Sequence, residues 1–544
     1  MGGIESLPGF WGSVLAAPLA FQLQVFAHIF ASVAEEMGAT MHRTAFSPNI
    51  KERRDHSCAI FDAGGNMIAQ AAHIPVHLGA MPASVVAAIA LFADDPAAPG
   101  DIVILNDPYL GGTHLPDITT VSPIFVDVDD VTKLFGYAAT RAHHADVGGM
   151  TPGSMPLSSE IYQEGLIIPP IKLVRGGDLD EAIMAVMLAN VRTPEERRGD
   201  FAAQFSAHRV ANRRIGEMTA RYGLDLLREM ASELLAYSAR MTAARLRKIP
   251  GGVHRFTDRL DGDGLTEGEI PIVVAVSQND GKLHFDFAGT SPAVAGSVNA
   301  PSAVTMSAIY YVVRCLVGQE VPANAGMYGA VEVQIPENSV LNPDPPHAVA
   351  GGNVETSQRV VDVVWGALAG ALPGIVPAAG QGTMNNLTLG GYDPERERPF
   401  AYYETMGGGS GGGPTRDGAS GSHVAMSNTW NTPVEALEFA LPVLVERYEI
   451  RRDSGGAGLH KGGEGLRRDL RLLCAAQANT LGERRMTGPY GLNGGEPGGV
   501  GRDQRRRGDE WRDLPGKGPL ELEPGDVISI GSPGGGGWGE PPAG

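Results

Sequence analysis

The chain has 544 residues, with 43 Lys and Arg against 62 Asp and Glu and a formal charge of -19. That length exceeds what one hydrophobic core supports, so several domains are expected, and the negative field argues against nucleic acid and anionic membrane faces as partners. Its three cysteines, Cys58, Cys315 and Cys474, are too few and too scattered for a disulfide framework or a cysteine zinc site, which suits a cytoplasmic protein.

The stretch from Phe10 to Gly38 is apolar, yet no basic residue precedes it, and Pro18, Gln22, Gln24 and His28 interrupt the run a bilayer or a signal peptide would need. It reads as a flexible start followed by an amphipathic helix over 19–37, with Val25, Ile29, Val33 and Met37 as the buried stripe. Residues 19–177 then carry short β-like runs (SCAIFD, DIVILN, ITTVSPIFV, LFGYAATRA) around one helix, MPASVVAAIALFA. Residues 178–250 read as a helical segment, with Pro194 early in its second helix and Gly223 closing that helix.

Strands return over 251–400 (IPIVVAVSQ, KLHFDFAGT, VEVQI) beside two helices, AVTMSAIYYVVRCLV and TSQRVVDVVWGALAGAL. The region 401–544 is glycine-rich and mostly β. The expected class is α+β: multidomain, with mixed β-sheets, a central helical segment and a glycine-rich β C-terminal region. Glycine, 74 residues in all, clusters in tracts such as GGGSGGG at 407–413 and GGGG at 534–537. Flanks that are strand-like or charged, not serine-rich, favour ordered turns or close backbone contacts over slack linkers.

The stretch NDPYLGGTHLPDITTVSPIF places His114 and Asp117 three apart at the start of a strand, and RAHHADVGG puts His143 and His144 at the end of another. If the two strands pair, imidazole nitrogens and a carboxylate meet at one sheet edge, a ligand set that suits zinc, manganese or iron(II). Only one of two adjacent strand residues faces a given side, so either His143 or His144 joins the site. Glu52, in NIKERRDHS, and Asp146 are candidates for completing the set or for taking a proton. His73, His77 and His254 read singly as ordinary hydrogen-bonded histidines.

Further polar groups compete for a substrate-binding role. Asn353, Glu355 and Ser357 lie in GGNVETSQR, where Thr356 or Ser357 as a helix N-cap is an equally good explanation. Glu404, Arg416, Asp417 and His423 surround the glycines of YYETMGGGSGGGPTRDGASGSH, whose backbone N–H groups can cradle an anion or simply build turns. The phosphate-binding signature GxxxxGK[ST] is absent.

Together these motifs resemble the hydantoinase B/oxoprolinase family. The resemblance runs from about residue 20 through MHRTAFSPNIKERRDHSCAIFD, PGDIVILNDPYLGGTHLPD, RAHHADVGGMTPGSM, GGNVETSQRVVDVVWGAL and GDVISIGSPGGGGWGEP. It implies one half of an ATP-dependent enzyme that hydrolyses a cyclic amide such as a hydantoin, an N-methylhydantoin or 5-oxoproline. ATP would be bound by a companion A-type subunit in a hetero-oligomer. On that reading His114, Asp117 and one of His143 or His144 hold a divalent metal, Glu52 or Asp146 handles the proton, and Glu355, Arg416 and His423 contact substrate. A component of an ATP-dependent acetone- or acetophenone-type carboxylase, or a non-catalytic partner of the A-type subunit, are the alternatives.

Overall fold

The computed structural model describes residues 18–542; residues 1–17, which hold nearly all of the expected flexible start, lie outside the described residues. Helix α1 (Leu19–Thr44) extends beyond the expected end and buries Leu23, Phe26, Phe30, Val33, Met37 and Met41. That alternation of three and four residues follows one helical face. It keeps Val33 and Met37 in the stripe and moves Val25 and Ile29 to its margin.

Strands β1 (His56–Asp62) and β2 (Met67–Gln70), helix α2 (Pro75–Leu91), and strands β3 (Ile102–Leu105), β4 (Asp117–Val128), β5 (Val131–His143), β6 (Ile171–Arg175) and β7 (Asp178–Leu179) follow. The strands form one antiparallel sheet in the order β2-β1-β5-β4-β3-β6-β7. Strand alternation gives each face its own core. On β1, Cys58 and Ile60 pack with α1 and with helices α3 (Pro194–Tyr222) and α4 (Leu224–Leu246), whereas Ala59 and Phe61 pack with Met81 and Val85 of α2. Pro194 opens α3, where its missing N–H costs nothing, and Gly223 follows its last residue.

A second sheet, β8 (Val253–Leu260), β9 (Ile270–Asn279), β10 (Lys282–Asp286) and β11 (Val331–Gln334), packs on helices α5 (Ser302–Val317) and α6 (Ser357–Ala369). Neither Thr356 nor Ser357 caps α6. The backbone is already helical through a wide π turn at Gly352–Thr356, and the two hydroxyls donate instead to the carbonyls of Val298 and Asn353.

The remaining strands are β12 (Asn386–Asp393), β13 (Arg398–Glu404), β14 (Val443–Arg451), β15 (Gly465–Leu472), β16 (Ala476–Leu481), β17 (Arg502–Arg507), β18 (Glu510–Asp513), β19 (Lys517–Leu522) and β20 (Val527–Gly531). They make two sheets, β13-β12-β16-β19 and β14-β15-β20-β17-β18. Leu387, Phe400 and Tyr402 of one meet Leu466, Leu470 and Ile530 of the other in a sandwich core. β13 bridges the expected division at residue 400.

The glycine tracts are ordered because their backbones touch. Gly463 donates to Ser410 O at 2.8 Å, Gly535 to Gly463 O at 2.9 Å, Gly412 to Gly536 O at 2.9 Å and Gly409 to Pro533 O at 3.0 Å. A Cβ on Gly535 would lie 2.0 Å from Ser410 O, and one on Gly409 would lie 1.9 Å from Gly463 O. Close approach, not a left-handed backbone, is what requires glycine at these two positions.

A buried charge lattice joins the second sheet and α6 to the glycine-rich region. Arg484 spans Asp258 of β8 at 2.6 Å and Asp362 of α6 at 2.7 Å, Arg359 reaches Asp258 and Glu483 at 3.2 Å each, and Lys517 pairs with Glu483. Each charge is compensated, so removing one partner would leave the other buried and unpaired. Glu355 lies at the edge of this lattice, accepting from the amide of Asn386 at 2.7 Å and the backbone N–H of Met384 at 3.0 Å.

Two measurements check these contacts. Gly535→Ala is expected to cost about 3 kcal/mol, because the groups met are backbone and cannot swing aside, and to lower the melting temperature; Gly216→Ala, in α3 with open space around it, is expected to be neutral or slightly stabilising. Burial, with the carboxylate of Glu483 nearby, raises Glu355 from 4.5 to about 8. The unfolded chain therefore releases a proton that the folded chain keeps, and this group's contribution is full below 4.5 and lost as pH rises through 8. Glu355→Gln should flatten that part of the melting temperature's pH dependence.

Candidate metal centre

Asp117 is the first residue of β4 and His143 the last of β5, and the antiparallel register sets them directly opposite each other. The chain reaches β4 through a tight turn in which Asp117 N–H donates to His114 O at 3.1 Å, so His114 folds back over the same sheet edge. One carboxylate oxygen, Asp117 Oδ1, is thereby surrounded by imidazoles. His114 Nε2 is 3.1 Å away, His143 Nδ1 3.3 Å, and His77 Nε2, from the first turn of α2, 3.3 Å.

The spacing fits a cation. His114 Nε2 and His143 Nδ1 are 3.2 Å apart, so with Asp117 Oδ1 they form a nearly equilateral triangle. Three ligands at about 2.0–2.2 Å from one ion, with tetrahedral or octahedral angles, stand roughly 3.0–3.5 Å from one another. None of the neighbouring nitrogens is aligned to hydrogen-bond Asp117 Oδ1, which leaves this fully buried oxygen an orphan. Its twin Oδ2 is satisfied, by Thr113 Oγ1 at 2.8 Å and Asn353 Nδ2 at 3.1 Å. Those two bonds fix the plane of the carboxylate and aim Oδ1 at the imidazoles.

His114 Nδ1 is 3.2 Å from Ala350 O. A carbonyl only accepts, so Nδ1 carries the hydrogen and a neutral His114 turns its Nε2 lone pair toward the centre. His143 is held flat against Tyr403, ring centroids 4.2 Å apart. Burial opposes charge throughout, yet the attraction of His114 and His77 drives Asp117 well below the usual carboxylate range, and Asp117 in turn raises His114. At His143 burial prevails and lowers the pKa.

Beside the triangle lies a cavity of ≈ 20 Å³, whose wall includes Asp55, His77, His143, Asn353, Tyr403, Ser427 and Thr429. Asp55 Oδ1 is 3.8 Å from His77 Nε2. Arg53 binds this region together, donating to Tyr403 O at 2.9 Å and Thr405 Oγ1 at 2.7 Å.

Of the residues singled out from sequence, His114, Asp117 and His143 come together. His144 does not: strand alternation turns it to the opposite side, against Phe201 and 3.1 Å from Gln204 Oε1. Asp146 is occupied as an anchor, accepting from Gly148 N, Gly153 N, Arg192 N and the Arg192 guanidinium, which leaves it no lone pair for a proton-taking role. Glu52 is half-buried at the end of the short helix Pro48–Lys51, whereas Asp55 of the same motif lines the cavity. Glu355 belongs to the edge of the charge lattice. Arg416 is exposed in the glycine loop, and His423 is hydrogen-bonded to Ser427. His77, Asp55 and Tyr403 are additions from the structure; a helix beginning at Pro75 is the signal that would have placed His77.

The chain matches the Hydantoinase B/oxoprolinase family over residues 20–541. It is 40% identical to 5-oxoprolinase 1 of Arabidopsis thaliana over 95% of this chain, but spans 42% of that protein's length. The B-type subunit of a putative D-/L-hydantoinase from Pseudomonas sp. (strain NS671) is 30% identical over 95% of this chain and 90% of its own. Among solved structures, the ATP-dependent caprolactamase from Pseudomonas jessenii superposes with a TM-score of 0.87 at 28% identity, covering 96% of this chain and 91% of that one. Matched along nearly its whole length by the family and its relatives, the protein belongs to the hydantoinase B/oxoprolinase family.

Proposed function

We propose that this chain is the ring-opening half of an ATP-dependent cyclic amidase, acting on a hydantoin, 5-oxoproline or a related lactam after an A-type subunit has phosphorylated the amide oxygen. The observation that carries the reading is the His114–Asp117–His143 triangle in a chain similar to a 5-oxoprolinase, a hydantoinase component and a caprolactamase. The 5-oxoprolinase relative is more than twice as long as this chain, which leaves room in it for a second activity that this family member would find in a partner.

An unstrained amide resists water because nitrogen donates into its carbonyl; placing a phosphoryl group on the oxygen withdraws that density and exposes the carbon. A divalent cation held by His114, Asp117 and His143, zinc, manganese or iron, would supply Lewis acidity at this step. The protein's own part is positional. Asn353 and Thr113 hold the carboxylate plane, Ala350 O sets the His114 tautomer, and Tyr403 fixes the His143 ring. The buried walls around the cavity exclude bulk water from the activated amide.

Coexpression with an A-type subunit tests the reading. The complex is expected to open members of a lactam and hydantoin panel only with ATP, and His114→Ala to lose at least about a hundredfold in turnover together with its metal. Full turnover by metal-free protein and by His114→Ala would sink it, and fixation of bicarbonate onto a ketone would favour the carboxylase alternative. Because Asp117 raises the His114 pKa, a cation must displace a proton that His114 holds increasingly as pH falls. Metal content after equilibrium dialysis should therefore decline by about tenfold in affinity per pH unit below that pKa for each proton displaced.

A further inference from the structure

His423 and Ser427 form a second polar couple on the cavity wall. Ser427 Oγ is 2.7 Å from His423 Nδ1. The ring is neutral, its pKa pushed down to about 3 by burial and the nearby Arg53, and its Nε2 is buried with no hydrogen-bond partner among the described residues. A buried N–H without an acceptor is rarer in folded proteins than an acceptor lacking a donor, so the ring hydrogen belongs on Nδ1, donating to Ser427 Oγ. The hydroxyl hydrogen of Ser427 is then free to point into the cavity.

The other hydroxyls on that wall are committed. Thr429 and Thr405 bond each other at 2.8 Å, and Tyr403 donates to Asn386 Oδ1 at 2.8 Å. Acceptors remain: the Asp55 carboxylate lines the space, and Asn353 Oδ1 has no donor among the described residues. A volume of ≈ 20 Å³ exceeds the roughly 10–15 Å³ that one water needs, and a water also requires two to four polar partners. This wall offers a free donor and two acceptors.

We propose that this cavity seats the water consumed in ring opening, with Ser427 donating to its oxygen and His423 acting as the positioning residue that orients Ser427. The proposal rests on the amidase reading. In the net reaction the water oxygen bonds to the carbonyl carbon, the carbon–nitrogen bond breaks, one water hydrogen goes to the nitrogen, and the other leaves the new carboxyl group as a proton.

The test uses the metal-loaded complex with its A-type subunit. Ser427→Ala is expected to lower kcat for ring opening about 10- to 100-fold with KM and metal content unchanged. Ser427→Thr, which keeps the hydroxyl, should restore most of the rate, and His423→Ala should reproduce part of the loss in kcat alone. An unchanged kcat in Ser427→Ala, or a fall that tracks lost metal, overturns the proposal. A crystal structure of the metal-loaded chain, independent of any substrate, should show an ordered water on Ser427 Oγ that vanishes in Ser427→Ala, and a dry cavity in the wild type overturns it too. A wild-type complex that opens no cyclic amide while holding that water overturns the amidase reading and, with it, the role given to the water.

Discussion

The registry between β4 and β5 governs the centre. Because side chains alternate along a strand, a slip by one residue would exchange His143 for His144 and turn Asp117 to the opposite face. The registry is itself held by burial on both sides: Val121 and Ala139 face α2, whereas Ile124, Ala138 and Ala142 face α1, α3 and α4. Two hydrophobic layers thus enforce the position of one carboxylate. The polar centre depends on apolar packing that never touches it.

That dependence explains which parts were legible in the sequence. Strands such as SCAIFD and LFGYAATRA are apolar on both faces, and α3 carries Pro194 and Gly223 at its ends, so local rules suffice for them. His114, Asp117 and His143 could be brought together by reasoning because all three sit at strand ends. His77 could not, since α2 begins six residues earlier than its most helical-looking stretch and delivers this ring from across the sheet. Tyr403 arrives from a separate sheet altogether, and only tertiary packing stacks it on His143. The choice between His143 and His144 was open for a simple reason: adjacent residues share every local property except the side they face.

Sequence also undervalued competition for lone pairs. Asp146 has the right chemistry and the right neighbourhood for a base, but four donors occupy it. Thr356 and Ser357 look like helix caps, yet the backbone before them is already helical and its carbonyls claim their hydroxyls. In each case a residue type named a capacity, and the fold decided which partner exhausted it.

The interlocked glycine tracts have a temporal consequence. Residues 533–538 hydrogen-bond to segments around 409–412, 456–463 and 491–499, all of which leave the ribosome before them. The loop at 421–430 that carries His423 and Ser427 departs from this same assembly, through paired bonds between Gly408 and Ser422. During synthesis the imidazole-bearing sheet can therefore be complete while the opposite wall of its cavity still awaits the strand that fastens it.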